Sequence, residues 1–165
     1  GLVGSEMCIR DRKRHDALKP LSKDHHESLM LCWKIREGKK KEVEPDRIKA
    51  YTSFYFNSQL RPHFKFEEEE IFSLLGKDHP MVKKAETDHL RLQQLFKQDH
   101  NVERALTEIE KELEDHIWFE ERVLFNEIQS EVSEEKLELL KNKEEEIKTP
   151  DADSWKDKFW VKEEL

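Results

Sequence analysis

Two five-residue stretches, HFKFE at 63–67 and HIWFE at 116–120, each place a histidine four residues before a glutamate. On an α-helix, residues four apart lie on one side, one turn above the other. Imidazoles suit iron, zinc and similar transition ions, and carboxylates neutralise the ion's charge and can bridge two of them. Two further histidines fall on apolar faces: His25 among Leu21, Leu29 and Cys32, and His89 between Ala85 and Leu92. The candidate donors are therefore His25, His63, Glu67, His89, His116 and Glu120. Unpaired in an apolar core, such groups are costly to bury, and a bound metal reverses that cost. Four imidazoles and two carboxylates are too many for one tetrahedral zinc. They suit two ions that also share solvent-derived bridges. Two irons are the best match, with manganese or a mixed pair as alternatives. A lone histidine on a helix face is more often a packed side chain than a ligand, and one His-x-x-x-Glu can be a simple hydrogen-bonded pair. Two such pairs, with single histidines in phase on two other segments, carry the metal reading.

These side chains need long helices to hold them. Pro20 suits a first helical turn, and Leu21, His25, Leu29, Cys32 and Ile35 mark one face of a helix ending near Gly38. A second helix opens at Pro45 or Asp46. Its inner face runs through Ile48, Tyr51, Tyr55 or Phe56 and Leu60, then on through His63, Glu67, Ile71 and Leu74. Pro62 removes a hydrogen bond and crowds the preceding turn, so a kink or a break is expected there, and a kink is favoured because the inward residues stay in phase across it. A third helix spans about Pro80 to Gln98, with Val82, Ala85, His89, Leu92 and Phe96 inward. A fourth follows Asn101, a candidate N-cap, and holds phase from Leu106 to Ile128. Ser133 is positioned to cap a short fifth helix with a weak apolar face of Leu137, Leu140 and Ile147. Trp155, Phe159 and Trp160 crowd the last residues, and three large aromatics are expected to dock back on the bundle. The expected fold is all-α: an antiparallel four-helix bundle with a short fifth helix and a docked C-terminal tail.

Composition agrees and narrows the function. The chain has 165 residues, which suits one domain. Its net charge of −8 argues against a nucleic-acid partner, and no apolar run is long enough to cross a membrane. Cys8 and Cys32 make neither a disulfide framework nor a four-thiolate metal site. With no secretory signal evident, they fit the reducing cytoplasm. Residues 1–14 show no clean period. Their VGSEMCIRDR string resembles translated adapter sequence, so they are expected to be a disordered or artefactual leader.

The stretches LSKDHHESLMLCWKIREG, LRPHFKFEEEEIF, TDHLRLQQL and HIWFEERVLF together resemble the hemerythrin-like domain, also called the HHE cation-binding domain. The likeness covers about residues 18–130 and rests on the order His, His-x-x-x-Glu, His, His-x-x-x-Glu. It implies a hemerythrin-like bundle over 15–148, with 149–165 as an aromatic tail packed on it. It also implies ligands at His25, His63, Glu67, His89, His116 and Glu120, with both glutamates bridging two non-haem irons completed by an oxo or hydroxo group. His26 is the alternative to His25, but positions 21, 25 and 29 share a face. Glu68 and Glu121 are expected off-axis, where they can hold ligand imidazoles in the required tautomer. His15, His79 and His100 are expected to face solvent. Phe56, Phe64, Phe66, Trp118 and Phe119 are candidates for an apolar wall, and Tyr51 or Tyr55 for a phenolate near the centre.

One departure matters. Oxygen-carrying hemerythrins have a histidine one turn after the third-helix ligand, where this chain has Gln93. The resemblance therefore implies binding of dioxygen or a related small diatomic, with an electron donor as a further partner. It leaves peroxide or nitric oxide detoxification and iron handling as alternatives, including zinc held only for structure. The molecule is expected to be a monomer or weak homodimer.

Overall fold

The structure is a computed structural model that describes residues 13–144 and 154–162. Residues 1–12, including Cys8, and Ile147 lie outside the described residues. Four long helices form the bundle: α1 (Lys19–Lys40), α2 (residues 45–75), α3 (Pro80–Lys97) and α4 (residues 102–131). A shorter α5 (Glu134–Glu144) follows. The loops between the long helices are short, so sequential neighbours run antiparallel.

α1 starts one residue before Pro20, which sits in the first turn. It runs past Gly38 and closes with Glu42 in the left-handed region at φ 56°. Val43 N–H bonds the Gly38 carbonyl at 2.9 Å and Glu42 N–H the Lys39 carbonyl at 3.1 Å. That pair of bonds satisfies two of the last carbonyls of the helix. Gly38 therefore lies two residues before the helix end, close to the expected place. It is buried, and a Cβ there would lie 2.7 Å from Ile48 Cδ1 and 2.8 Å from Phe159 Cε1. The glycine lets the tail approach α1.

α2 shows no break at Pro62. Its α-helical pieces Pro45–Tyr55, Arg61–Phe66 and Phe72–Leu75 are joined by two π-helical turns, Phe56–Leu60 and Glu67–Ile71. The first π turn ends where Arg61 N–H bonds the Phe56 carbonyl, and Pro62 follows at the start of the resumed α-helix. The helix widens into a π turn just before the proline. Each π turn also inserts one residue into the helical phase. Tyr55 and Phe56 at the start of the first π turn, and Ile71 and Phe72 at the end of the second, are all buried. α4 carries a matching π turn, Glu120–Leu124, between Val102–Phe119 and Phe125–Glu131.

The helix starts use different caps. His79, half-buried rather than fully in solvent, accepts the Met81 N–H through Nδ1 at 3.1 Å and caps α3. Asn101 precedes α4 in the left-handed region without a side-chain cap. Ser133 Oγ accepts the Lys136 N–H at 3.3 Å and caps α5.

The apolar interior falls into two clusters. One joins Ile35, Ile48, Tyr51, Phe56, Leu95, Leu106 and Ile109 at the end where α1 stops and α2 starts. The other joins Leu18, Leu21, Ile71, Val82, Phe125 and Ile128 at the opposite end, covered by Leu137 and Leu140 of α5. Phe159 belongs to the first cluster, with Trp155 and Trp160 packed against it. The tail thus closes that end. Trp160 lies 4.7 Å and Trp155 5.9 Å from the Tyr51 ring, centroid to centroid.

Candidate metal centre

Between the two apolar clusters lies a polar layer with one histidine from each long helix and a glutamate from α2 and α4. His25, His63, Glu67, His89, His116 and Glu120 are all buried, and both glutamates have no exposed surface. His26, the alternative to His25, is exposed. The six residues form two overlapping groups: His25 and His63 with Glu67 and Glu120, and His89 and His116 with the same two glutamates. Within each group the donor atoms lie within 4.8 Å of one another.

Each carboxylate faces both imidazole pairs. Glu120 Oε1 is 2.9 Å from His25 Nε2, and its Oε2 is 3.4 Å from His116 Nε2 and 3.9 Å from His89 Nε2. Glu67 Oε1 is 3.2 Å from His63 Nε2 and 3.3 Å from His89 Nε2, while Oε2 is 4.0 Å from His25 Nε2. Most of these approaches are close enough for charge attraction but not aligned as hydrogen bonds. Six inward atoms are left without a hydrogen-bond partner: Nε2 of His63, His89 and His116, both Glu67 oxygens and Glu120 Oε2. A buried polar atom without a partner costs about 1–3 kcal/mol. Converging lone pairs of nitrogen and oxygen are what a pair of transition ions takes, so the donor set fits a di-metal centre.

The outward side of every imidazole is held by a carboxylate. His25 Nδ1 lies 2.7 Å from Glu121, His63 Nδ1 3.0 Å from Asp24, His89 Nδ1 3.1 Å from Glu68, and His116 Nδ1 3.0 Å from Asp88. An ionised carboxylate only accepts, so each Nδ1 carries a proton, and a metal that displaced the Nε2 proton would meet the Nε2 lone pair turned to the centre. The supports form a ring: α1 supports α2, α2 supports α3, α3 supports α4 and α4 supports α1. Glu68 and Glu121 take the place expected of them. Asp24 and Asp88 went unnoticed in the sequence, because each precedes a histidine of its own helix but serves one on the next. Arg14, assigned to the leader, is also part of this layer. It donates to the Glu121 carbonyl at 2.6 Å and lies 3.8 Å from the Glu121 carboxylate.

The charges are strongly biased in the metal-free protein. Burial opposes protonation of all four imidazoles, yet the facing carboxylates win and raise each one. His116 reaches about 10, chiefly through the Glu120 charge and the Asp88 hydrogen bond. Burial opposes ionisation of Glu120, but His116 and His25 hold it well below the usual carboxylate range.

Aromatic rings wall the layer. Phe64 stacks on His89 at 3.8 Å between centroids and meets His116 edge-on. Phe125 stacks on His25 at 5.4 Å and Phe72 lies 5.3 Å from His89; neither was among the expected wall residues. Phe56 stacks on Phe96 behind Phe64, Phe66 belongs to the other apolar cluster, and Trp118 and Phe119 are only half-buried. Both tyrosine hydroxyls have hydrogen-bond partners outside the six candidate ligands. Tyr55 pairs with Ser28 at 3.0 Å, and burial pushes its hydroxyl pKa up; Tyr51 accepts from Lys34 at 2.9 Å. Gln93 is half-buried one turn beyond His89.

A third grouping, His15 with Glu134 and Glu138, lies at the surface. His15 Nδ1 accepts the Ala17 N–H at 2.9 Å, so its proton sits on Nε2 and goes to Glu134 at 2.9 Å. This is a hydrogen bond tying the segment before α1 to α5, and it corrects the solvent-facing expectation for His15. His100 is exposed as expected.

No protein-family model, curated protein or solved structure matches the chain. The bundle and its two clusters of two histidines and two shared glutamates do match the hemerythrin-type HHE di-iron motif pattern. Among the described residues no helix is long and apolar enough to cross a membrane.

Proposed function

We propose that the chain is a non-haem di-iron protein that binds dioxygen or a related small diatomic between its four long helices. The observation that supports this best is the convergence of six unpartnered, buried donor atoms on one layer. His25 and His63 would hold one ion, His89 and His116 the other, and Glu67 and Glu120 would bridge them. When bound, a di-iron pair supplies reversible redox chemistry and open coordination positions for a small ligand.

The chain's own residues set the conditions for that chemistry. Asp24, Glu68, Asp88 and Glu121 orient the imidazoles and fix their protons on Nδ1. Phe64, Phe72 and Phe125 keep bulk water from the layer, which strengthens every electrostatic contact inside it. The metal-binding unit would be residues 15–148 with Arg14 added, and 149–165 the tail, of which the described residues 154–162 pack on the bundle. Its partners are the small ligand and an electron donor. The buried thiol of Cys32 suits the reducing cytoplasm, and the molecule acts as a monomer or weak homodimer.

Gln93 favours a second reading. Where an oxygen carrier has another histidine, an amide leaves a position to solvent, which suits peroxide or nitric oxide detoxification. Manganese or zinc in the same donors would instead make the bundle a metal-handling or structural protein.

The test is to load the protein with ferrous iron without air and then mix it with air-saturated buffer. New near-ultraviolet and visible absorption is expected, and no absorption change and no iron oxidation would overturn the proposal. Repeated turnover of peroxide with a reductant, lost in Glu67→Ala and His89→Ala, would select the enzymatic reading.

A further inference from the structure

A pocket of about 170 Å³ opens between α1 and α2. Its polar wall consists of Asp24, Glu27, Ser28, Tyr55, Gln59 and His63. His63 spans from this pocket to the centre. Its Nδ1 bonds Asp24 in the pocket wall at 3.0 Å, and its buried Nε2 has no hydrogen-bond partner and faces Glu67. The mouth is open to solvent: Glu27 is exposed, and more than half of the Asp24 side chain is accessible.

We propose that this pocket is the entry site for the metal ion, where Asp24 and Glu27 collect a hydrated divalent cation before it passes His63 into the donor layer. The proposal rests on the metal-centre reading above. Carboxylates, hydroxyls and an amide are oxygen ligands, the set that hard, hydrated cations accept. The volume leaves room for an ion that keeps part of its water. A chain of net charge −8 attracts cations, and a concave mouth with two carboxylates focuses that attraction. The groove between α2 and α3, lined by Glu68, Phe72, Ser73, Lys77 and Glu86, offers a comparison. It has a lysine at its rim and none of the six candidate ligands in its wall.

The experiment follows uptake of Co²⁺ alone by the metal-free full chain in stopped-flow absorbance, with the end point measured by elemental analysis. Glu27→Gln removes one mouth charge at an exposed position, and Gln59→Trp fills the pocket. Ser73→Trp adds the same bulk to the other groove. Glu27→Gln should slow uptake roughly tenfold at low salt and weaken its salt dependence. Gln59→Trp should slow it at any salt, Ser73→Trp should leave it unchanged, and all should reach the same end point. Unchanged rates in both Glu27→Gln and Gln59→Trp, with two ions still bound, would overturn the entry site and leave the centre standing. Failure of the parent protein to bind Co²⁺ at all would overturn both.

Discussion

Asp88 directly precedes His89 in α3, yet its carboxylate serves His116 on α4, 3.0 Å from Nδ1. Asp24 does the same from α1, reaching past its own neighbour His25 to His63 on α2. The two Asp-His helices and the two helices carrying His-x-x-x-Glu-Glu are therefore interlocked. Each helix orients an imidazole of the next, so the inner layer is positioned by contacts that exist only in the assembled bundle.

Removing one support should weaken the centre without unfolding the protein. Asp88→Ala is expected to lower metal affinity about 10–100-fold, as Glu121→Ala should. Competition against a chelator, read by elemental analysis, measures the loss. Helical circular dichroism should stay unchanged. Unchanged affinity in both variants would remove the orienting role.

Stability of the metal-free protein should depend on pH in a defined direction. Burial lowers the affinity of the four imidazoles for protons, but facing carboxylates outweigh it and raise all four above 6.5. A raised folded-state pKa gives stability that is complete below the unfolded value and lost as pH rises through the folded one. For His116 that folded value is about 10. Glu120 is held well below 4.5, so its share is present above 4.5 and lost as pH falls through its folded value. The melting temperature of metal-free protein should therefore be highest between 4.5 and 6.5 and fall toward 10. Metal must displace the Nε2 protons, so apparent affinity should rise over the same alkaline range. A flat melting profile from pH 6.5 to 10 would contradict this.

Much of the layer was legible because helical phase alone puts His63 with Glu67 and His116 with Glu120, and separates His25 from His26. The supporting residues were less legible. Asp24 and Asp88 act across helix interfaces, which periodicity within one helix does not encode, and Arg14 sits in a segment with no period. The π turns leave no local signal either. Pro62 closely follows the first of the two π turns of α2. The helix end near Gly38 is legible, but the packing of Phe159 against that glycine joins distant segments, which local pattern does not encode.

That packing predicts a sensitive position. Gly38→Ala puts a methyl group against Ile48 and Phe159 at under 3 Å. Overpacking of this kind costs about 1–3 kcal/mol. The tail should loosen first, seen as a red shift in tryptophan emission from Trp155 and Trp160. Gly38→Ala with unchanged emission and melting would show that the tail does not need this close approach.

Phe64 is the wall residue with most at stake, stacked on His89 and buried. Phe64→Ala should destabilise the fold by about 3–5 kcal/mol. Phe64→Leu keeps more of the volume and should lose less. Chemical denaturation of the metal-free forms gives the comparison, and equal stability of Phe64→Ala and the parent would contradict the wall.

The most direct test of the centre is metal stoichiometry. Protein loaded with ferrous iron without air, freed of excess metal and analysed by elemental mass spectrometry should hold about two irons per chain, one for each group of two imidazoles and two shared carboxylates. Glu67→Ala should lose both, because that carboxylate faces both groups. One metal per chain, or none, in the parent protein would contradict a di-iron centre.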